Sequence, residues 1–178
     1  LTSLRPVQRP HPPIWGAANN YRAVERAAEI GDACIINPHA TLQTIERQMG
    51  LYRAALKRAG RPFPAELPMM REICVAESRG EAIRLARPYL EQKYKAYVQW
   101  GQHRALPRDD DMTQAFEELI RDRFILGDPA ECAAEIDRCV AATGATTMLF
   151  RVHWPGMPHD MVTRAMRLLA EKVFPLLA

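Results

Sequence analysis

No apolar run in the 178 residues approaches the roughly 18 needed for a membrane-crossing helix, and no hydrophobic leader precedes the first predicted element. A soluble, cytoplasmic protein without membrane association is expected. A basic stripe or tail is also missing. The 24 Lys and Arg and 21 Asp and Glu are interspersed and leave a formal charge of +3, which argues against a nucleic-acid partner. Cysteine is sparse: Cys34, Cys74, Cys132 and Cys139 form no C-x-x-C pair, and no histidine stands at metal-ligand spacing from them. Neither a disulfide framework nor a metal centre is implied, and all four are expected to be small buried hydrophobes. No catalytic triad or paired carboxylates stand out, and no segment is of low complexity.

What is present is alternation. Short β-branched or apolar runs, predicted as strands at Pro13–Gly16, Asp32–Asn37, Met69–Ala76 and Thr146–Val152, are separated by segments of 3.6-residue period. Asn19 or Asn20 caps a helix over Tyr21–Ile30. Thr41 opens a second, carrying Leu42, Ile45, Met49, Tyr52 and Leu56 on one face. Ser78 and Glu81 form a capping box before a helix that reaches about Trp100. Asp128-Pro129-Ala130-Glu131 is a strong helix start, and Gly144 the matching stop. A last helix carries Val162, Ala165, Leu169 and Val173. The loop "GQHRALPRDDD" and a short helix near Thr113–Arg123 make residues 101–125 an insertion before the last strand, with the charged loop read as solvated. Residues 1–178 are otherwise one domain. Strands that alternate with helices imply a parallel sheet with helices outside.

About four βα units are too few to close an eightfold barrel, which takes about 250 residues. The run "RPVQRPHPPIWGAANNYRAVERAAEIGDACII" resembles the fifth strand–helix–strand segment of the bacterial luciferase-like flavin monooxygenases, through its P-x-Q-x-P-x-P-P-I lead-in and its A-A-x-x-G-D. The similarity continues through "YRAALKRAGR", "LGDPAECAAEID" and "EKVFPLLA". It implies an α/β fold of the (β/α)8 TIM-barrel type, with this chain supplying strands five to eight. The opening "LTSLRPVQRP" accordingly reads like the interior of a longer sequence, whose other half would close the ring.

In such a barrel, ligands sit at the C-terminal ends of the strands. The loop from Gly16 to Asn20 lies at that end and leads into a helix N-terminus, which favours an anion. The resemblance implies that Ala17, Ala18, Asn19 and Asn20 contact the phosphate and ring end of a flavin. Gly16 lets the ligand approach and Arg22 adds charge. Many relatives carry a second Gly, or Ser or Thr, in this loop, so the two asparagines are a departure, and plain helix capping with tight alanine packing is the alternative. Trp15 is either a core residue or a wall of the flavin pocket. Asn37 and His39 face the same mouth, where Asn37 either binds ligand or makes a turn. Arg71 and Glu72 interrupt the third strand, as a local ion pair or with one pointing inward. His153, with Arg151 and Trp154, stands at the end of the last strand: His153 as a proton donor, Arg151 as a partner for an anionic substrate or reduced flavin, Trp154 as pocket wall.

The resemblance further implies FMN chemistry, with reduced flavin and oxygen acting on a small organic substrate, a possible separate flavin reductase and a homodimer. The alternatives are a deazaflavin-dependent hydride transfer and a shortened, non-catalytic flavin-binding paralogue. An unrelated α/β enzyme using the same helix terminus for a phosphorylated substrate is a further reading.

Overall fold

Strands too continuously apolar to face water pair with one another in a computed structural model that describes residues 6–177. Leu1–Arg5, with which the opening "LTSLRPVQRP" begins, and the terminal Ala178 lie outside the described residues. The elements run β1 (Trp15–Ala18), α1 (Tyr21–Ile30), β2 (Ala33–Ile36), α2 (Leu42–Arg58), β3 (Pro68–Val75) and α3 (Arg79–Gln99). They continue with α4 (Phe116–Leu119), β4 (Ile125–Gly127), α5 (Pro129–Thr143), β5 (Thr147–Arg151) and α6 (His159–Leu168). Each pairing among them is parallel. β1 lies beside β2 and β2 beside β3, while the lower half of β3 pairs with β5 and its upper end, Ile73–Val75, with β4. This is an α/β partial barrel in the sequence order expected of its strands.

Two differences from the sequence reading have plain causes. Five strands are present rather than four, because Ile125–Gly127 adds three residues to the ladder of β3. So short a strand, running straight into the Asp128 helix start, leaves no periodic signal. β1 also ends two residues later than predicted, because Ala17 and Ala18 stay in register with Ile35 and Ile36. The turn at the strand end therefore shrinks to Asn19 and Asn20.

The caps follow chemistry. Asp128 and Glu131 form both halves of a capping box, and Gly144 ends α5 at φ 78°, a conformation that glycine adopts without strain. At α3 only half of the expected box forms: Ser78 accepts from the Glu81 N–H, whereas the Glu81 carboxylate reaches the N–H of Glu77.

Strand register sorts the side chains into two faces. Gly16, Cys34, Ile36, Met69 and Ile73 lie on the face toward the helices, and all but Gly16 are buried there. Trp15, Ala17, Ile35, Met70 and Leu149 share the other face and remain partly or well exposed. The four cysteines are free and buried, and burial pushes the Cys34 and Cys74 thiols up to about 11, which makes them poor nucleophiles.

Gly16 is small for a packing reason. A Cβ placed there would lie 2.9 Å from the Cβ of Ala27 on α1. Gly16→Val is therefore expected to destabilise by about 1–3 kcal/mol, as overpacking does. Urea unfolding measures it, and an unchanged midpoint would mean that strand and helix have room to part.

The insertion is anchored rather than solvated. Asp110 is buried and accepts from the Thr41 N–H and hydroxyl at 2.8 and 3.0 Å and from Arg123 at 2.8 Å. Asp122 adds its carbonyl and carboxylate to the N–H groups of Leu42 and Gln43. The expected helix near Thr113–Arg123 is only Phe116–Leu119, because the following residues turn back to cap α2. Arg123 also donates to the His39 carbonyl, so the insertion fixes the loop after β2.

Candidate functional site

Two clusters stand at the C-terminal ends of the strands. At the end of β1, Asn20 accepts from the Ala23 N–H at 2.9 Å and caps α1. The Asn19 side chain accepts from Asn37 at 3.0 Å, and its carbonyl accepts from Gln48 at 3.0 Å. Asn19 and Asn37 thus brace the rim of β1 against that of β2. The N–H groups of Tyr21 and Arg22 have no partner inside the helix and, with the exposed Arg22 side chain, are the donors left at this helix start. Ala17 and Trp15 flank it on the uncovered sheet face.

The second cluster joins β3, β5, α3 and the loop after β5. Glu72, fully buried, is the register partner of Arg151. Its Oε1 accepts from Lys93 of α3 and from Arg151 at 3.2 Å, and its Oε2 accepts from the Trp154 indole N–H at 2.6 Å. Above this knot opens a groove of roughly 480 Å³, walled by Tyr89, Tyr97, Trp100 and Trp154, with Lys93, Arg151 and His153 on its polar side. Burial lowers the pKa of Lys93 and the neighbouring Arg151 lowers it further, against the opposing pull of Glu72.

His39 sits edge-on to Tyr97, its ring centroid 5.2 Å away, with a buried Nε2 that finds no partner among the described residues. Burial first, and then the charges of Lys93, Arg151 and Arg123, lower its pKa to about 4. A histidine whose folded pKa lies below its unfolded value binds fewer protons folded than unfolded. Its contribution is complete above pH ~6.5 and is lost as the pH falls toward 4, by up to about 3 kcal/mol. His39→Gln is expected to flatten the stability profile across that window. An unaltered profile from denaturant titrations would show that His39 is not buried neutral.

The luciferase-like monooxygenase family matches residues 2–147. The chain belongs to this family. Among solved structures, the luciferase-like chain is similar to monooxygenase RslO1 from Streptomyces bottropensis, at 27% identity and a TM-score of 0.75, over 97% of this chain and 50% of that one. It also resembles the oxygenating constituent of 3,6-diketocamphane monooxygenase of Pseudomonas putida, solved with FMN, at 19% identity and TM-score 0.67, over 94% of this chain and 50% of that one. The third is the coenzyme F420-dependent tetrahydromethanopterin reductase of Methanopyrus kandleri, at 18% identity and TM-score 0.63, over 93% and 51% respectively. The latter two likenesses carry the fold alone. No curated protein matches the chain by sequence. The chain spans about half the length of these solved structures.

The luciferase-like fold brings Asn19, Asn20, Arg22 and Asn37 to one rim and Arg151, His153 and Trp154 to one groove, with the two places apart. Gly16 belongs to neither, because it faces Ala27. Ala18 is buried, whereas Ala17 and Trp15 face open space. Arg71 and Glu72 do not pair with each other: adjacent on one strand, they point to opposite faces, and Arg71 donates to the carbonyls of Ala40 and Arg123. Lys93 and Tyr97 escape a sequence reading. A signal existed, since Ala82, Ala86 and Leu90 form a buried stripe on α3 and Lys93 falls on its continuation, where a charge is out of place. Among the described residues no helix is long and apolar enough to cross a membrane, and no cluster of His, Cys, Asp and Glu could hold a metal.

Proposed function

We propose that this chain carries the cofactor rim and part of the substrate pocket of a flavin-dependent monooxygenase that uses reduced FMN and oxygen on a small organic substrate. The observation that carries the reading is the start of α1, where the N–H groups of Tyr21 and Arg22 point off the helix at the C-terminal end of β1, beside the uncovered Ala17. A terminal phosphate fits there, held by two amides, the helix dipole and the Arg22 guanidinium. Asn19 and Asn20 act by shaping the rim, since their side-chain oxygens are already engaged. Ala17 leaves room for a planar ring, and Trp15 walls it. When bound, reduced FMN supplies the electrons that activate oxygen, and a deazaflavin would supply a hydride. His153, exposed at the groove edge, is the side chain placed to give or take a proton, and Tyr97, Trp100 and Trp154 give the pocket its aromatic lining. A separate reductase, a dimer and a cytoplasmic location belong to the same proposal and rest on the family resemblance.

Titrating the full-length protein with oxidised FMN, reduced FMN and a deazaflavin, followed by fluorescence, tests it. Reduced FMN is expected to bind more tightly than the deazaflavin. The reverse order would favour hydride transfer, and binding of neither would defeat the proposal.

A further inference from the structure

The groove above Glu72 has a charge imbalance. Two cations, the Lys93 ammonium and the Arg151 guanidinium, share the single carboxylate of Glu72, and no second Asp or Glu lies within ion-pair distance of either among the described residues. Lys93 is 6% exposed at its side chain, so water does little to compensate it. Arg151, 34% exposed, lines the groove and spends one N–H on Glu72 and another on the Met70 sulfur, which leaves three of its five N–H groups without a partner among the described residues. Arg71, also buried, differs: its guanidinium rests on two carbonyls and does not line this groove. Burial is the main cause of the lowered pKa values of Lys93 and His39, and the charge of Arg151 adds to it in both. The rest of the groove is aromatic, with the Lys93 Nζ lying 5.2 Å from the Tyr97 ring centroid and Trp100 70% exposed along its wall.

We propose that this groove is an acid-selective substrate subsite, taking an aromatic or other ring-bearing organic acid with its carboxylate between Arg151 and Lys93 and its ring body against Tyr97 and Trp100. A carboxylate there completes the buried charge balance and accepts the guanidinium N–H groups that lack a partner. The aromatic walls favour a flat apolar body over a sugar or a peptide. That the bound acid is a substrate rests on the monooxygenase reading above; that the groove binds acids does not. The groove is three strand spacings from the β1 rim, about 14 Å, so cofactor and acid do not compete for one seat.

Calorimetric titration of the flavin-free, full-length protein with 2-naphthoate and with its neutral isostere 2-naphthamide separates the two readings. The acid is expected to bind at least tenfold more tightly than the amide. Arg151→Met and Lys93→Met each leave one cation facing one carboxylate, so both variants should fold, as thermal melts will verify, and each should reduce the preference severalfold. FMN affinity is expected to stay within twofold in both variants. Equal affinity for acid and amide, or an undiminished preference in whichever variant folds, would overturn the subsite. Acid selectivity without any flavin binding would leave the subsite standing and refute the cofactor reading instead.

Discussion

Replacing Glu72 by alanine is expected to cost about 3–5 kcal/mol of folding free energy, the loss typical when one partner of a buried ion pair is removed. The carboxylate is fully buried and accepts three hydrogen bonds, from Lys93, Arg151 and the Trp154 indole. Its removal strands the Lys93 ammonium away from water and leaves a buried indole N–H unsatisfied. Against a total stability of roughly 5–15 kcal/mol, the effect is large enough to unfold a marginal protein. Part of any loss on truncation would come from the cavity, and Glu72→Gln removes that ambiguity: it keeps the volume and an oxygen for Trp154 but gives up the charge. It should lose about 2 kcal/mol or more. Adding Lys93→Met to Glu72→Ala removes one stranded cation and should recover about 1–2 kcal/mol of coupling. Urea unfolding of the parent, these three variants and Lys93→Met alone, which closes the cycle, reads all of this, and a Glu72→Gln protein as stable as the parent would mean that the ion cluster contributes nothing.

The second large effect is expected at Asp110→Ala. This side chain satisfies the Thr41 N–H and hydroxyl at the start of α2 and neutralises Arg123, whose side chain is as buried as its own. Arg123 keeps carbonyl partners in His39, Leu119 and Asp111, so the expected loss is near the lower end of the range for a broken buried pair, about 3 kcal/mol. It should be local as well as global. Trypsin is expected to cut after Arg104 or Arg108 faster in the variant, because the segment between α3 and β4 loses its tie to α2. Asp110→Asn keeps two of the three contacts and should fall between. Native-like stability with native-like proteolysis would show that the insertion is held by its apolar residues, Leu106, Met112 and Phe116, rather than by Asp110.

Elements governed by local rules were legible in the residues. The Asp128-Pro129 start, the Gly144 stop, the buried stripe of α2 and the parallel sheet all appear where periodicity and capping chemistry place them. β4 was not, because a strand of three residues has no period to detect. The anchoring role of Asp110 was not, because a run of three aspartates reads as solvated until a distant arginine is known to fold onto it. Gly16 illustrates the converse: its smallness was visible, but whether a ligand or a helix required it depended on which face of β1 it occupied. At the candidate site, Arg151, His153 and Trp154 were legible as neighbours on one strand end. Glu72 was legible only as one of two charges of which one could point inward, and Lys93 not at all, because their pairing crosses from a helix to a strand and no local pattern encodes it.

The claim on which the functional reading depends is that a phosphate rests at the start of α1. Riboflavin and FMN differ only by that phosphate, so their affinities for the full-length protein test it directly. FMN should bind at least tenfold more tightly than riboflavin, about 1.4 kcal/mol, and Arg22→Glu should remove most of that margin while leaving riboflavin affinity unchanged. Equal affinity for the two flavins, or an FMN margin untouched by Arg22→Glu, would contradict it.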